Sequence, residues 1–376
     1  MWDDAVSIVK AQLTTDIASM LHSGTTGISL LAKWMPSVNT SSAKTREVAN
    51  ALCAALPMSA RNYRKTLSKL RERIKVLERL MSANRWDEIE FDKVPSKAGL
   101  VYKNAFARRD MIAAKYEAFV KDDTKKVNAG TLFPYEVVDK AVNYLRGYNH
   151  SDTDRAAINK YWANIPDIFK DADFDGLVVC DTSGSMTWGS GPAVPINVAI
   201  SLALYCAERA KGPFANHYIS FASRPRLIET VGADFIDKVN RIYRANLCDN
   251  TNLEAVFNLL LETAVKNKCS QDDLPKTIIV CSDMQIDQAQ GHYSDRSKPA
   301  TMMENMRRKW AGHGYVLPRL IYWNINASRD TFLDDGPDVT YVSGASKDIF
   351  RTVLTGKTGL DAMYETLDSE RYAVIQ

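Results

Sequence analysis

The sequence predicts an α-helical N-terminal module followed by a doubly wound α/β domain. Up to about residue 170, apolar residues recur every three or four positions, which is the spacing of helices that bury one face. After residue 170, short apolar runs alternate with helical segments, which is typical of a parallel sheet covered on both faces. At 376 residues the chain is also long for one domain. We therefore predict two domains, 1–170 and 171–376.

The first module consists of helical segments separated by short breaks rich in Pro, Ser, Asn or Gly. No strand-like alternation occurs among them, and no clean repeat of fixed length is present. A stack of helix pairs, as in HEAT-like repeats, accounts for this pattern. The main segments are "TREVANALCAAL", "RNYRKTLSKLRERIKVLERLMSA", "KAGLVYKNAFARRDMIAAKYEAFVKDD" and "PYEVVDKAVNYLRG".

The second domain is predicted to contain five parallel strands and one short antiparallel hairpin, the hairpin lying in "FASRPRLIET". The predicted strands are "FDGLVVCD", "HYISFAS", "TIIVCSD", "RLIYWNIN" and "VTYVSGA". The predicted helices between and after them are "PINVAISLALYCAERA", "NLEAVFNLLLETAVKN", "ATMMENMRRKWAGHG" and "KDIFRTVLTG".

Composition and charge separate the two halves and exclude several classes of protein. Residues 1–170 carry 27 Lys and Arg against 19 Asp and Glu, whereas the remainder carries 21 against 26, so we expect different partners for the two halves. The six cysteines are scattered without CxxC spacing, which favours reduced thiols over disulfides or a zinc site. Neither a signal peptide nor a membrane span is evident. We expect a cytoplasmic protein without a membrane partner.

Oxygen-bearing side chains follow two of the predicted strands. Asp181, Ser183 and Ser185 come directly after the first strand, Asp283 ends "TIIVCSD", and Thr251 lies in the "CDNTN" loop. Ligands of open α/β sheets bind beyond the carboxyl ends of the strands, where these residues are expected to meet. Carboxylate and hydroxyl oxygens suit a hard divalent cation, Mg²⁺ or Mn²⁺. We also expect Gly184 to allow a tight turn and Ser282 to support the loop.

Helix capping is the simpler explanation of Asp181, since Asp and Ser are favoured N-caps. Two glycines and Pro192 intervene before the next helix, however, which places Asp181 too early to cap it.

An enzymatic function has little support in the sequence. No GxxxxGK[ST] loop is present, and an aspartyl phosphotransferase would want a second carboxylate where Ser183 stands. The five histidines form no spaced pair, and Asp249 is the only carboxylate near the predicted metal site that could act as a base. A turn-forming role explains Asp249 more simply. We therefore predict that the chain is not an enzyme.

The five ligand residues also carry a family resemblance. Asp-x-Ser-x-Ser after a first strand, a later threonine and an aspartate after a fourth strand resemble the metal-ion-dependent adhesion site (MIDAS) of von Willebrand factor A (VWA) domains. The resemblance covers about residue 174 to the C-terminus. It implies a VWA fold with a bound Mg²⁺ or Mn²⁺ and an acidic group from a partner as the remaining metal ligand.

A basic surface is predicted between Arg61 and Leu80, which contain eight basic and two acidic residues. On one continuous helix, apolar residues fall on one side and the cations cluster on the other. A solvated face is the ordinary explanation, and a phosphate-binding surface for RNA is the alternative. The predicted RNA-binding residues are Arg61, Arg64, Lys65, Lys75 and Arg79.

The order of the two modules resembles two known groups of proteins. A helical-repeat module before a VWA domain is similar to Ro-type (TROVE) ribonucleoproteins, which bind small noncoding RNAs. The segment "YRKTLSKLRERIKVLERLMSANRWDEIEFDKVPSKAGLVYKNAFARRD" resembles an uncharacterised helical-plus-VWA family of plants, fungi, bacteria and large DNA viruses. About 170 residues precede the VWA-like part, fewer than the closed ring of the Ro module contains.

Two functional hypotheses follow. The first is a Ro-like RNA-binding protein, a ribonucleoprotein component whose VWA metal recruits an acidic ligand. The second is a non-enzymatic protein-interaction or assembly module, cellular or viral, that acts through the metal site without RNA. Only the first hypothesis requires the basic surface.

Overall fold

The structure is a computed structural model that describes residues 2–21, 27–148, 151–170, 175–245, 252–283, 298–325, 339–345, 359–370 and 372. It divides into two compact units. The first contains Met1–Val94 with Arg109–Ala114, and the second contains Pro95–Arg108 with Lys115–Gln376. Helices from the predicted 1–170 module therefore occur in both units. The predicted boundary between independently folding domains stays a prediction.

The first unit is helical, as its periodicity predicts. Ser42 and Ser59 cap α3 and α4, and each accepts a hydrogen bond from the backbone amide three residues on. The helices that lie wholly in this unit are α1 (Trp2–Leu21), α2 (Leu31–Trp34), α3 (Ala43–Ala55), α4 (Ala60–Arg73) and α5 (Leu77–Ser82).

A compact apolar core holds these helices together. It includes Leu13, Leu52, Tyr63, Leu67 and Leu70, which are all nearly or fully inaccessible. The Tyr63 hydroxyl donates to the carbonyl of Pro36 at 2.9 Å, so its polar atom is satisfied inside the core.

Four further helices precede the sheet. They are α6 (Ser96–Arg108), α7 (Asp110–Lys121), α8 (Pro134–Arg146) and α9 (Asp152–Ala163), and the first residues of α7 belong to the first unit. At the start of α8, Pro134 takes a position where no amide is needed, and Glu136 Oε2 accepts from the Phe133 amide at 3.0 Å.

The predicted sheet is confirmed. Its strand order is β3-β2-β1-β4-β5-β6, and all neighbouring pairs are parallel except β2 with β3. The strands are β1 (Gly176–Asp181), β2 (His217–Phe221), β3 (Arg226–Glu229), β4 (Thr277–Ser282), β5 (Arg319–Asn324) and β6 (Val339–Ser343). The helices are α10 (Pro195–Ala207), α11 (Phe235–Arg244), α12 (Leu253–Asn267), α13 (Lys298–Gly312) and α14 (Gly359–Leu367). The predicted helix "KDIFRTVLTG" lies outside the described residues.

Helices cover both faces of the sheet. Alternate strand residues such as Leu177 and Val179 pack against α12 and α13. On the other face, α10 is buried along its whole length because the sheet lies on one side of it and α8 on the other. This double cover explains why α10 is apolar all round. None of the helices in the described ranges has the length and apolar character needed to cross a membrane.

Charged contacts tie α9 to α11 within the second unit. Arg155 Nε donates to Asp234 at 2.7 Å, and its Nη2 donates to Asp237 at 2.7 Å. The ring of Trp162 stacks on Phe235 with centroids 4.2 Å apart. Within the second unit, α9 is thus fixed to the α/β part by both apolar and ionic contacts.

Candidate metal centre

The four described members of the predicted ligand set lie at the carboxyl edge of the sheet, where its strand order reverses. From β1 the chain proceeds through α10 to β2 on one side, and later returns to place β4 on the other side of β1. Such a reversal opens a crevice at the carboxyl ends of β1 and β4, which is the usual ligand position in open α/β sheets. Asp181 ends β1 and Asp283 directly follows β4. Both carboxylates therefore stand at this crevice.

Asp181 is buried and held by two hydrogen bonds. Its side chain is 1% exposed. Oδ1 accepts from the Ser183 amide at 2.8 Å, and Oδ2 accepts from Ser282 Oγ at 2.6 Å. The register pairs Cys180 with Cys281, which brings Ser282 beside Asp181. These bonds fix the orientation of the carboxylate at the base of the crevice.

The two predicted serine ligands meet above this carboxylate. Ser183 Oγ and Ser185 Oγ are 3.2 Å apart, and both residues are half-buried. Neighbouring ligands of an octahedral Mg²⁺ with bonds of about 2.1 Å lie about 3.0 Å apart. The spacing of the two hydroxyls therefore fits two positions on one ion. The structure thus brings Asp181, Ser183 and Ser185 together.

The expected role of Gly184 is wrong. Its φ is not in the left-handed region, and a Cβ built there would meet nothing within 4 Å. Gly184 instead begins a short 3-10 turn that runs to Thr187. The turn itself brings the two hydroxyls together, and a side chain at position 184 would be tolerated.

Asp283 is 6% exposed and is joined to the serine loop through Met186. The Asp283 amide donates to Met186 Sδ at 3.2 Å, and Met186 is fully buried beneath the loop. The fifth predicted ligand, Thr251, lies outside the described residues, as does Asp249.

Two carboxylates buried side by side are electrostatically unfavourable without a cation. Burial raises the pKa of Asp181 because the ionised form loses its hydration, and the charge of Asp283 raises it further. Hydrogen bonds from Ser282 and Ser183 oppose this rise. A divalent ion between the two carboxylates would remove the unfavourable interaction, so the donor set suits Mg²⁺ or Mn²⁺ chemically.

The capping explanation of Asp181 does not account for this arrangement. The N-cap of α10 is Val194, thirteen positions further on, and it makes no side-chain cap. Within the described ranges, no cluster of three or more His, Cys, Asp or Glu residues is placed to hold a metal. The predicted ligand set contains only two carboxylates, so that finding does not bear on it.

The basic surface differs from the prediction in one respect. The expected continuous helix from Arg61 to Leu80 is wrong, because α4 ends at Arg73 and α5 begins at Leu77. Between them Lys75 adopts a left-handed φ of 48°. The Lys75 amide donates to the carbonyl of Glu72 at 3.1 Å, and the Val76 amide donates to that of Arg71 at 3.0 Å, which closes a Schellman motif.

All five predicted RNA-binding side chains are nevertheless exposed. Arg61, Arg64 and Lys65 lie on α4 and have no ion-pair partner among the described residues. Lys75 lies in the link, with its Nζ 3.9 Å from a Glu90 carboxylate oxygen, and Arg79 lies on α5. The predicted cations therefore form an α4 group and two residues beyond the break.

The sequence did not identify two residues that shape the candidate metal centre. Met186 accepts the Asp283 amide, and no sequence signal marks it apart from its place after Ser185. Ser282 was expected only as loop support, yet it bonds Asp181 directly. Aligning the ends of the two parallel strands would have found Ser282, since it stands beside Asp181.

Comparison with known proteins finds two matching family models and a viral relative. Residues 4–172 match the family described as "Domain of unknown function (DUF2828)", and residues 175–373 match "Domain of unknown function (DUF7788)". "Uncharacterized protein L728" of Acanthamoeba polyphaga mimivirus is 30% identical over 351 residues, which cover 88% of this chain and 58% of that protein. This viral relative agrees with the expected resemblance to a family that occurs in large DNA viruses. The chain spans less than two thirds of the length of this relative.

The crystal structure of the Deinococcus radiodurans RO (RSR) protein is also similar. It is 15% identical with a TM-score of 0.47, and the match covers 92% of this chain and 77% of that one. Similarity at this level supports no statement about the function of the chain. The DUF7788 match covers more than half of the residues of this chain. The chain therefore belongs to the family described as a domain of unknown function, DUF7788.

Proposed function

We propose that the second unit binds one Mg²⁺ or Mn²⁺ at the carboxyl edge of its sheet and through it an acidic group of a protein partner. The observation that carries the proposal is the convergence of Asp181, Ser183, Ser185 and Asp283 on one crevice. Asp181 and Asp283 supply the negative charge, and the two serines supply neutral oxygens. Thr251 belongs to the proposed set through its place in the sequence.

The burial of these groups supports an ion with a coordination position that is open to solvent. The carboxylates are almost inaccessible, whereas Ser183 and Ser185 are half-buried, so the centre faces solvent through the hydroxyls. Five protein oxygens at most would leave at least one octahedral position to water. When bound, the ion would supply a positive centre for a carboxylate. Ser282 and the Ser183 amide would hold Asp181 in place while that ligand exchanges.

We propose a binding function rather than catalysis. The two described histidines lie away from the metal centre. His217 begins β2 at the amino end of the strand, and His313 lies in the connection that enters β5. A general base has to be within hydrogen-bond reach of the water or group it activates. The groups described around Asp181 are hydroxyls, backbone amides and two carboxylates. The ion itself would require both carboxylates, so neither is left to act as a base.

Water relaxation with Mn²⁺ as the probe and acetate as the acidic group tests this proposal. Mn²⁺ bound to the protein should enhance the relaxation of water, and acetate should reduce that enhancement by displacing bound water. Acetamide, which has no charge, should leave the enhancement unchanged. A bound Mn²⁺ whose water signal does not respond to acetate would show that the centre does not recruit carboxylates.

A turnover assay separates binding from catalysis. The protein with Mg²⁺ should leave nucleotides, phosphomonoesters and RNA intact. Hydrolysis that disappears in both Asp181→Asn and Asp283→Asn would identify the centre as an active site and overturn the proposal of a binding function.

RNA binding is the second function that we propose, and the exposed cations of α4 favour it. This is also what the resemblance to Ro-type ribonucleoproteins implies. Arg61, Arg64 and Lys65 share one exposed helical surface and make no described ion pair, so they are available for phosphates. An assembly module that acts only through the metal remains the alternative, and loss of the α4 charges would leave such a module unaffected.

A further inference from the structure

A cavity among α6, α8 and α9 forms a second candidate site, separate from the metal centre. Its volume is about 510 Å³, which is enough for a nucleotide-sized ligand. The lining residues that matter here lie on α6 and α8. They are Lys103, Asn104, Arg108, Lys140 and Asn143.

The cations of this cavity differ in how many hydrogen-bond and ion-pair partners they have. Lys103 is 5% exposed and donates to Asp154 and, at 3.0 Å, to Asn104 Oδ1. Lys140 Nζ donates to Asp139 at 3.3 Å, which leaves its other N–H groups available. Arg108 is exposed and makes no ion pair with any residue that the structure describes. The cavity therefore offers one fixed ammonium and two accessible cations.

These charges are close enough to repel one another. Burial is the main reason that the pKa of Lys103 is lowered, and the positive charges of Lys140 and Arg108 lower it further. Asp154 alone among the lining residues opposes them with a negative charge. An anion in the cavity would relieve this repulsion.

We propose that this cavity binds the phosphate of a nucleotide-sized ligand through Arg108 and Lys140. The planar guanidinium of Arg108 matches two phosphate oxygens, and the ammonium of Lys140 adds a second charged donor. The amides of Asn104 and Asn143 supply neutral hydrogen bonds beside them. Lys103, held by Asp154, contributes a fixed positive charge in the wall.

A neighbouring cavity extends the site along α8. It has a volume of about 430 Å³ and shares Lys140 and Asn143 with the first. Arg146 also lines it, together with the segment that follows the serine loop of the metal centre. A ligand longer than one nucleotide would thus find further polar surface. The phosphate could belong to a free nucleotide or to the end of an RNA.

Calorimetric titration distinguishes these sources. The ligands are AMP, adenosine, and a short single-stranded RNA with and without a 5′-phosphate. EDTA in every sample removes divalent ions, so failure of the proposed metal centre cannot imitate failure of this site. The test variant is Arg108→Gln with Lys140→Gln. The matched control is Lys126→Gln with Arg241→Gln, which removes two exposed cations elsewhere in the second unit.

AMP should bind the parent protein and the control alike, and adenosine should bind neither. The test variant should bind AMP at least about tenfold more weakly, since two charge-assisted contacts are lost. RNA that binds more tightly with its 5′-phosphate would identify an RNA end as the source, and AMP binding alone would identify a free nucleotide. The proposal is overturned if no phosphate compound binds, or if the test variant binds like the parent. Arg108→Gln alone, at an exposed position, serves if the double variant is unstable.

Discussion

Charge reversal on α4 should weaken RNA binding and flatten its salt dependence if this helix is the RNA surface. The perturbation is Arg61→Glu, Arg64→Glu and Lys65→Glu together. All three side chains are exposed, and Glu favours helices, so α4 should remain folded. Each phosphate contact with single-stranded RNA contributes about 0.7 to the slope of log affinity against log salt. Loss of three contacts should flatten that slope by about 2.

Fluorescence anisotropy of a labelled single-stranded RNA at several salt concentrations measures both affinity and slope. The control variant carries Lys10→Glu, Lys44→Glu and Lys93→Glu, which reverse three exposed lysines outside α4. The control should lose some affinity through net charge but keep a steeper slope than the α4 variant. If the two triple variants have the same slope, α4 is not the RNA surface and the predicted RNA-binding residues on it are wrong.

Two further predictions concern stability and thiol reactivity. Burial alone would raise the pKa of Asp234, but hydrogen bonds from the Asp237 amide and from Arg155 outweigh it and lower that pKa. The contribution of Asp234 to the free energy of unfolding should be complete above the unfolded pKa of about 3.9 and should fall as the pH drops through the lower folded pKa. The free energy of unfolding of Asp234→Asn, measured with urea, should therefore depend less on pH in this range than that of the parent. With a thiol reagent, half-buried Cys269 should react in the native protein while Cys281, whose pKa burial raises, stays protected until unfolding, and equal rates would contradict the described core.

The sheet and the meeting of Asp181 and Asp283 at one edge of it could be predicted because both depend on short-range signals. Each strand is a brief apolar run bounded by polar residues, and parallel strands place their carboxyl ends at one edge. Asp181 and Asp283 are far apart in the sequence. Each lies at the carboxyl end of a predicted parallel strand, however, and this alone assigns both to one crevice. The bond from Ser282 to Asp181 depends on strand register, which apolar runs alone do not specify.

The break between α4 and α5 could not be predicted from periodicity. Leu70, Ile74 and Leu77 keep helical spacing across it, and neither Gly nor Pro marks the end of α4. A Schellman motif usually places Gly in the left-handed position, but here Lys75 takes it. Periodicity also does not predict the division into two compact units. An amphipathic helix such as α8 shows that it buries a face, but its sequence does not say that the partner is α10.

Calorimetric titration with Mg²⁺ tests the metal centre most directly. The comparison is between the parent protein, Asp181→Asn, and Asp272→Asn, an exposed carboxylate elsewhere in the second unit. Urea unfolding without metal should first show that all three proteins are folded. We expect one Mg²⁺ per chain in the parent and in Asp272→Asn, and binding at least about tenfold weaker in Asp181→Asn because a charged oxygen ligand is lost. Equal Mg²⁺ affinity in Asp181→Asn and the parent would contradict the assignment of the site.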